Sequence, residues 1–268
     1  MPSVKKPLLL LALLLAAVGA SSAYAISYGQ PDGEGHPNVG AMLRLRPSDS
    51  MYRIVCTGSL ISPTVFLTAS HCTDFVENQP PGFQDAWVTF DTHFTSGTSL
   101  PASAIHGTMY TNPLFNQRQS DPGDIAVIVL DRPVTGVTLA QLPPAGLLDR
   151  MREAGTLKDA RFTSVGYGVL EPVNGPGGKV FPLTGDRNVS IGGFNALTDA
   201  WLKLSGNPSH GDGGTCFGDS GGPQFLEDTL TQVSITITGD AVCRATNVDY
   251  RLDTPQARDF LSDFVALP

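Results

Sequence analysis

Three short stretches carry side chains that could act together on a carbonyl group. Gly218 to Pro223 reads GDSGGP and sets Ser220 among glycines. His71 closes LTASH just before Cys72, and Asp124 opens the apolar run DIAVIVL. A serine hydroxyl is a weak nucleophile until a base removes its proton. An imidazole does that best when a carboxylate holds its tautomer. Glycines beside the serine let the backbone turn sharply and bring amide N–H groups close to a substrate. A lone serine in such a loop is nearly always only a loop, so the chemistry requires a fold that brings all three stretches together. Asp121 competes for the acid role, but it precedes a Pro-Gly turn rather than a strand.

The elements that must position these groups read as strands. Cys56 to Cys72, CTGSLISPTVFLTASHC, alternates apolar and small residues and ends in a tight polar turn, which predicts a hairpin. DIAVIVLD predicts a strand buried on both faces, ARFTSVGYG a strand running into a glycine turn, and QVSITITGD a cleanly alternating strand. EPVNGPGGK and HGDGGT read as loops by composition. Near the end, Thr254 is a good N-cap and Pro255 suits a first helical position. Ala257, Phe260, Leu261, Phe264 and Val265 then make one apolar face, predicting a terminal helix over about 254–267. The chain is therefore nearly all β with one short helix.

Bulk properties narrow the setting. Lys5 and Lys6, the apolar run Leu8 to Val18 and the small-x-small site Ala23-Tyr24-Ala25 read as a secretory signal peptide over 1–25. The run is too short to span a bilayer, so export without a membrane anchor is expected. Removing two lysines leaves 17 − 2 = 15 basic against 25 acidic side chains, which argues against nucleic acid or an anionic membrane as partner. Four cysteines, Cys56, Cys72, Cys216 and Cys243, suggest two disulfides in an exported chain. Three pairings are possible; the local one would close two short loops. No C-x-x-C spacing or histidine cluster points to a metal, and no cofactor is expected.

LTASHC, DIAVIVL and GDSGGP, in the chain order His, Asp, Ser, resemble the chymotrypsin/trypsin-like serine proteases. The resemblance runs from Ile26 to the terminal helix. It implies an all-β fold of two packed six-stranded antiparallel β-barrels with a cleft between them. The barrels would cover about 26–140 and 141–253, within one protease domain over 26–268. It implies His71 as general base, Asp124 as its orienting acid and Ser220 as nucleophile. The N–H groups of Gly218 and Ser220 would form the oxyanion hole. It also implies the disulfides Cys56–Cys72 and Cys216–Cys243.

In this family a new N-terminal Ile or Val folds inward, and its ammonium pairs with the aspartate before the catalytic serine. ISYG at Ile26 resembles that start, and the partner here is Asp219. A buried carboxylate without a partner is costly, and an α-amino group becomes available only after cleavage. Signal removal is thus expected to be the activation step. The resemblance places Gly214 at the base of the S1 pocket, where trypsin-like cleavage after Arg or Lys needs an acid. Gly239 would sit at the rim, with Val248 narrowing the pocket beside Tyr250. This favours an apolar P1 residue. A one-residue slip would bring Asp249 to the floor instead, and Asp212 could also reach it. Ile237 stands where a serine commonly supports the triad aspartate, leaving Thr236 or Thr238 as replacements.

Other features read as ordinary structure. Asn188-Val189-Ser190 is an N-glycosylation sequon. Asp32-Gly33-Glu34 and His210-Gly211-Asp212 carry too few acids for a dedicated calcium site. Expected partners are protein or peptide substrates and protein protease inhibitors, and a monomer is expected. The rival readings are an inactive protease-like binding protein and an esterase using the same serine. The intact His, Asp and Ser set weighs against the first, and the absence of βα alternation against the second.

Overall fold

The computed structural model describes residues 26–268; the expected signal peptide lies outside the described residues. The chain opens with a two-residue strand, β1 (Gln30–Pro31). Six strands follow: β2 (Val39–Arg46), β3 (Met51–Leu60), β4 (Val65–Thr68), β5 (Ala86–Thr89), β6 (Ile105–Thr111) and β7 (Ala126–Leu130). They close in the order β2-β3-β4-β7-β6-β5, every pairing antiparallel.

The second barrel uses β8 (Arg161–Gly166), β11 (Asn188–Leu197), β12 (Trp201–Ser205), β13 (Pro223–Leu226), β14 (Gln232–Gly239) and β15 (Thr246–Arg251). Their order is β11-β12-β15-β14-β13-β8, and a β11–β8 pairing closes the ring. Between β8 and β11, EPVNGPGGK forms a small hairpin, β9 (Val173–Gly175) and β10 (Gly178–Val180), where composition predicted only loop. Gly177 and Gly178 take φ of 92° and 134°, which glycine alone adopts without strain. The fold is therefore the expected pair of six-stranded barrels.

Residues 26–31 do not belong to the first barrel, although the expected boundary put them there. Ser27 bridges Gly214, and β1 adds to the edge of β11, so the first residues lie on the second barrel. Arg187 and Asp32, both buried, pair at 2.8 Å across this junction. The Arg187 guanidinium also donates to Gly33 O at 2.6 Å and to Val39 O and Phe90 O at 3.2 Å, tying the entering segment to both barrels.

Burial follows the strand pattern. The five residues of β7, AVIVL, are almost wholly enclosed, and Phe66 and Leu67 on the neighbouring β4 are fully buried. Burying each such side chain contributes about 1.5–3 kcal/mol relative to exposure. A smaller cluster of Leu148, Leu157, Phe162, Leu202 and Leu204 lies under a short interbarrel helix. Among the described residues, three α-helices decorate the barrels: α1 (Ser70–Glu77), α2 (Leu147–Glu153) and α3 (Pro255–Ser262). The Thr254 hydroxyl caps α3 by accepting from Ala257 N at 3.3 Å. The helix stops at Ser262, short of the expected 267, but Phe264 and Val265 still pack on the core.

Candidate active site

His71 sits in the first turn of α1, not in the turn that composition suggested. That turn has Ala69 at its N-cap, which offers no capping side chain. The free N–H groups of a helix start need an acceptor from elsewhere. Asp124 supplies it: Oδ1 accepts His71 N at 2.9 Å. Its Oδ2 lies 2.9 Å from His71 Nδ1. One buried carboxylate thus caps the helix and holds the imidazole, and the backbone bond fixes the ring against the acid. Ser70 Oγ donates to Ile125 O at 2.7 Å and so fastens α1 to the segment entering β7.

The serine loop is gripped by the first barrel. Thr57 on β3 donates its N–H to Ser220 O and its hydroxyl to Gly218 O, both at 2.9 Å. The neighbouring Cys56 forms a disulfide with Cys72, whose Sγ lies 3.9 Å from Ser220 O. The Cys56–Cys72 bridge therefore joins β3 to α1 beside the serine. The Cys216–Cys243 bridge ties the serine loop to the chain after β14. Both pairings match those implied by the family resemblance. The sulfurs of Cys56 and Cys72 lie within 4.8 Å of a ring nitrogen of His71, but they are spent in the disulfide and are not metal ligands.

Two glycines shape the loop. Gly221 has φ of 77°, and a Cβ there would stand 2.1 Å from Thr68 Oγ1. Gly218 has φ of 101°, and a Cβ there would stand 2.9 Å from Gly168 Cα. Among the described residues, neither Gly218 N–H nor Ser220 N–H has a protein acceptor. Two adjacent free donors beside a serine hydroxyl can stabilise an oxyanion. No hydrogen bond joins Ser220 Oγ to His71 among the described residues; such bonds often tighten only when substrate is bound.

Asp219, one residue earlier, is wholly buried. Its carboxylate accepts Cys216 N and Gly168 N, both at 2.8 Å. Burial pushes it up to about 7 in spite of those two bonds. Ile26 is also fully buried, and Gly214 N donates to Ser27 O at 2.9 Å, two residues before Cys216. Ile26 has φ of 62°, an outlier for a β-branched residue.

A cavity of about 100 Å³ opens beside Ser220, lined by Thr215, Phe217, Thr236, Gly239 and both cysteines of the second bridge. Gly239 lines this cavity; Val248 and Tyr250 do not. They occupy the face of β15 opposite Asn247 and Asp249. β15 runs in unbroken register against β12, so this is its ordinary alternation. β14 beside it carries a bulge: Thr236 pairs with Asp249 but Thr238 with Val248, so Ile237 is an extra residue in β14. Tyr250 instead turns its hydroxyl to Asp121. Gly214 lies behind the cavity against Asn247, whose Oδ1 would stand 2.9 Å from a Cβ placed on it. Asn247 Oδ1 also accepts Thr215 N at 3.0 Å.

Of the nearby acids, Asp240 lines this cavity, and backbone N–H groups engage its carboxylate. Burial pushes Asp249 well up, against bonds from Gln224 and Thr236. Asp212 pairs with Arg161 at 2.7 Å. Burial would raise Asp240, but backbone N–H groups of Thr246, Ala245 and Arg244 hold it below the usual range. A separate cavity of about 750 Å³ lies between residues 28–36 and the turn at 227–230, and none of His71, Asp124 or Ser220 lines it. Asn188 of the sequon is buried and its Nδ2 donates to Asp186 O, which leaves no access for glycosylation in the folded chain.

Two barrels, with a histidine–carboxylate pair from one facing a glycine-framed serine from the other, make the scaffold of a serine hydrolase. Comparison with known proteins narrows this. The trypsin family model matches residues 32–260. The chain is 28% identical over 207 residues to chymotrypsin from Phaedon cochleariae, covering 71% of this chain and 65% of that protein, just under two thirds of its length. It is 34% identical over 227 residues to brachyurin from Leptuca pugilator, covering 78% of this chain and 89% of the relative. The solved structure of HL collagenase superposes with a TM-score of 0.63 at 17% identity, over 88% of this chain and 96% of that one, a likeness of fold. The chain belongs to the trypsin family of serine endopeptidases.

Proposed function

We propose that this chain, freed of residues 1–25, is an exported serine endopeptidase that cleaves proteins or peptides through an acyl-enzyme. The observation that carries this reading is the double hold of Asp124 on His71, set against a serine loop that Thr57 fastens to the same barrel. Ser220 Oγ attacks the scissile carbonyl while His71 Nε2 takes its proton. Asp124 keeps the Nδ1–H tautomer and stabilises the imidazolium. Gly218 N–H and Ser220 N–H receive the oxyanion, at roughly 2.7–4 kcal/mol per donor in comparable sites. The imidazolium then protonates the leaving amine, and water releases the acyl group by the same steps.

Cleavage after Ala25 completes the site. It supplies an α-ammonium next to a buried Ile26, on the segment bridged to the loop of Asp219. It also removes the peptide bond that gives Ile26 its positive φ, so strain of about 1–3 kcal/mol disappears with the leader. Pairing Asp219 with that ammonium orders the Gly218 to Ser220 turn. The cavity beside Ser220 has the space of about three waters, and its one lining acid, Asp240, is taken up by backbone N–H groups, which supports a small or medium apolar P1 side chain.

A peptide-library digest with protein beginning at Ile26 tests the reading. Cleavage after Ala, Val or Leu is expected, and Ser220→Ala should lower kcat about 10⁶-fold. Cleavage after Arg or Lys would overturn the apolar pocket. Unchanged hydrolysis by Ser220→Ala would overturn the mechanism.

A further inference from the structure

Behind the His71–Asp124 pair stands a second pair of side chains, and it comes from the other barrel. Tyr250 is fully buried on β15, yet its hydroxyl crosses the interface to donate to Asp121 Oδ1 at 2.8 Å. The same oxygen accepts Gly123 N at 3.2 Å, closing a turn immediately before Asp124. Trp201 on β12 lies edge-on to Tyr250, ring centroids 6.0 Å apart. Its indole N–H donates to Ser120 O at 3.1 Å. Two aromatic side chains of the second barrel thus clamp residues 120 and 121 of the first.

Elsewhere the segment is held at Pro122 O by Asn116 N at 2.8 Å and at Ile125 O by Ser70 Oγ at 2.7 Å, on either side of Asp124. Residues 121–125 form no strand, and Gly123 takes φ of 60°. Asp124 accepts only from His71 among the described residues. The side chains that could have steadied it directly are turned elsewhere: Ile237 is apolar, and Thr236 Oγ1 accepts Gln224 Nε2 at 2.9 Å. The hold on the acid must therefore act through the chain leading into it.

We propose that Tyr250, assisted by Trp201, is a positioning residue for catalysis, fixing Asp124 from the second barrel through Asp121, whose carboxylate adds a second negative charge behind the imidazolium. The proposal rests on the reading of Asp124 as the orienting acid. Burial first, and then the Asp121 carboxylate, push the Tyr250 hydroxyl well above its ordinary range, so it is a neutral donor at working pH. Arg251, next on β15, is turned to Asp149 and Asp253. On α1, Asp74 is engaged by Asn78 and Glu77 by Thr111. Asp121 and Asp124 are the charged groups that act on this hydroxyl.

The test is the pH profile of kcat and kcat/KM for Tyr250→Phe and Asp121→Asn, with thermal unfolding measured alongside. Tyr250→Phe keeps the ring and its packing on Trp201. It should lower kcat about tenfold, the value of one lost hydrogen bond of about 1.4 kcal/mol, with KM within twofold. Asp121→Asn removes a charge and should move the acidic limb of kcat/KM down by about half a unit, because a nearby anion favours the charged imidazole. Asp121 is partly exposed, so this variant carries the test should Tyr250→Phe fail to fold. A Tyr250→Phe enzyme with wild-type kcat, or an Asp121→Asn enzyme with an unmoved acidic limb, overturns the proposal. Activity that survives Ser220→Ala or Asp124→Ala would overturn the triad reading itself.

Discussion

Asp32 and Asp219 are both buried carboxylates near the entering segment, and they behave in opposite ways. Burial alone would push Asp32 up, but His36 and the Arg187 guanidinium hold its carboxyl below the usual range. Asp219 has only two backbone N–H donors, and burial pushes it up to about 7. Asp219 lies deeper, and it lacks the side-chain partners, His36 and Arg187, that Asp32 has. Asp32 is a finished ion pair that joins the first residues to both barrels. Asp219 is the half of an ion pair whose other half cleavage would supply. One segment, residues 26–36, therefore carries a completed charge at one end and the proposed missing charge at the other.

The comparison breaks first at Asp219. Protein beginning at Ile26 should lose about 10²–10⁴-fold in kcat/KM when its α-amino group is acetylated or when Asp219 is changed to Asn. That range corresponds to the 3–5 kcal/mol of a broken buried pair. Full activity of the acetylated protein, measured on a peptide substrate, would remove the distinction between the two carboxylates.

The reciprocal change is Arg187→Met, which leaves Asp32 buried without its guanidinium. It should cost about 3–5 kcal/mol in denaturant unfolding. The kcat of the fraction that remains folded should stay near wild type. A loss of kcat with stability unchanged would mean that the junction serves the site rather than the fold.

A pH series sharpens the contrast. The folded carboxyl of Asp219 in the uncleaved chain lies above its ordinary value of 3.8, near 7. The folded state then binds the extra proton, so stability falls as pH rises from about 4 to about 7. Asp32 has the opposite sign: its contribution is present above the ordinary carboxylate range and is lost as pH falls through the depressed value. Uncleaved chain carrying Ser220→Ala should lose several degrees in Tm between pH 5 and pH 7, while protein beginning at Ile26 should not. Equal slopes for the two forms would show that Asp219 gains no partner on cleavage.

Much of this was legible in the residues. Ser220, His71 and Asp124 stand in short motifs whose types declare their chemistry, and β7 announces itself by an unbroken apolar run. The pocket was less legible because the strand that frames it looks regular. QVSITITG alternates cleanly in sequence, yet Ile237 is a bulge that shifts the register of β14 against β15. On β15, Asn247 and Asp249 share one face and Val248 and Tyr250 the other. No local pattern marks a bulge, since its cause is the curvature of a closed barrel. The clamp of Tyr250 and Trp201 on residues 120 and 121 was equally invisible, because it joins groups 129 and 81 residues apart.

The sequence by itself determined the chemistry and the class of fold. Residue type sets what a side chain can donate, accept or attack, and period sets strand against helix. The tertiary structure decided which groups meet and which charges are satisfied. It turned Asp124 into the cap of α1, gave Asp32 its arginine and left Asp219 with backbone donors alone. Those outcomes depend on the packing of two barrels against each other, and the electrostatic worth of a buried charge is fixed by its neighbours in space rather than its neighbours in the chain.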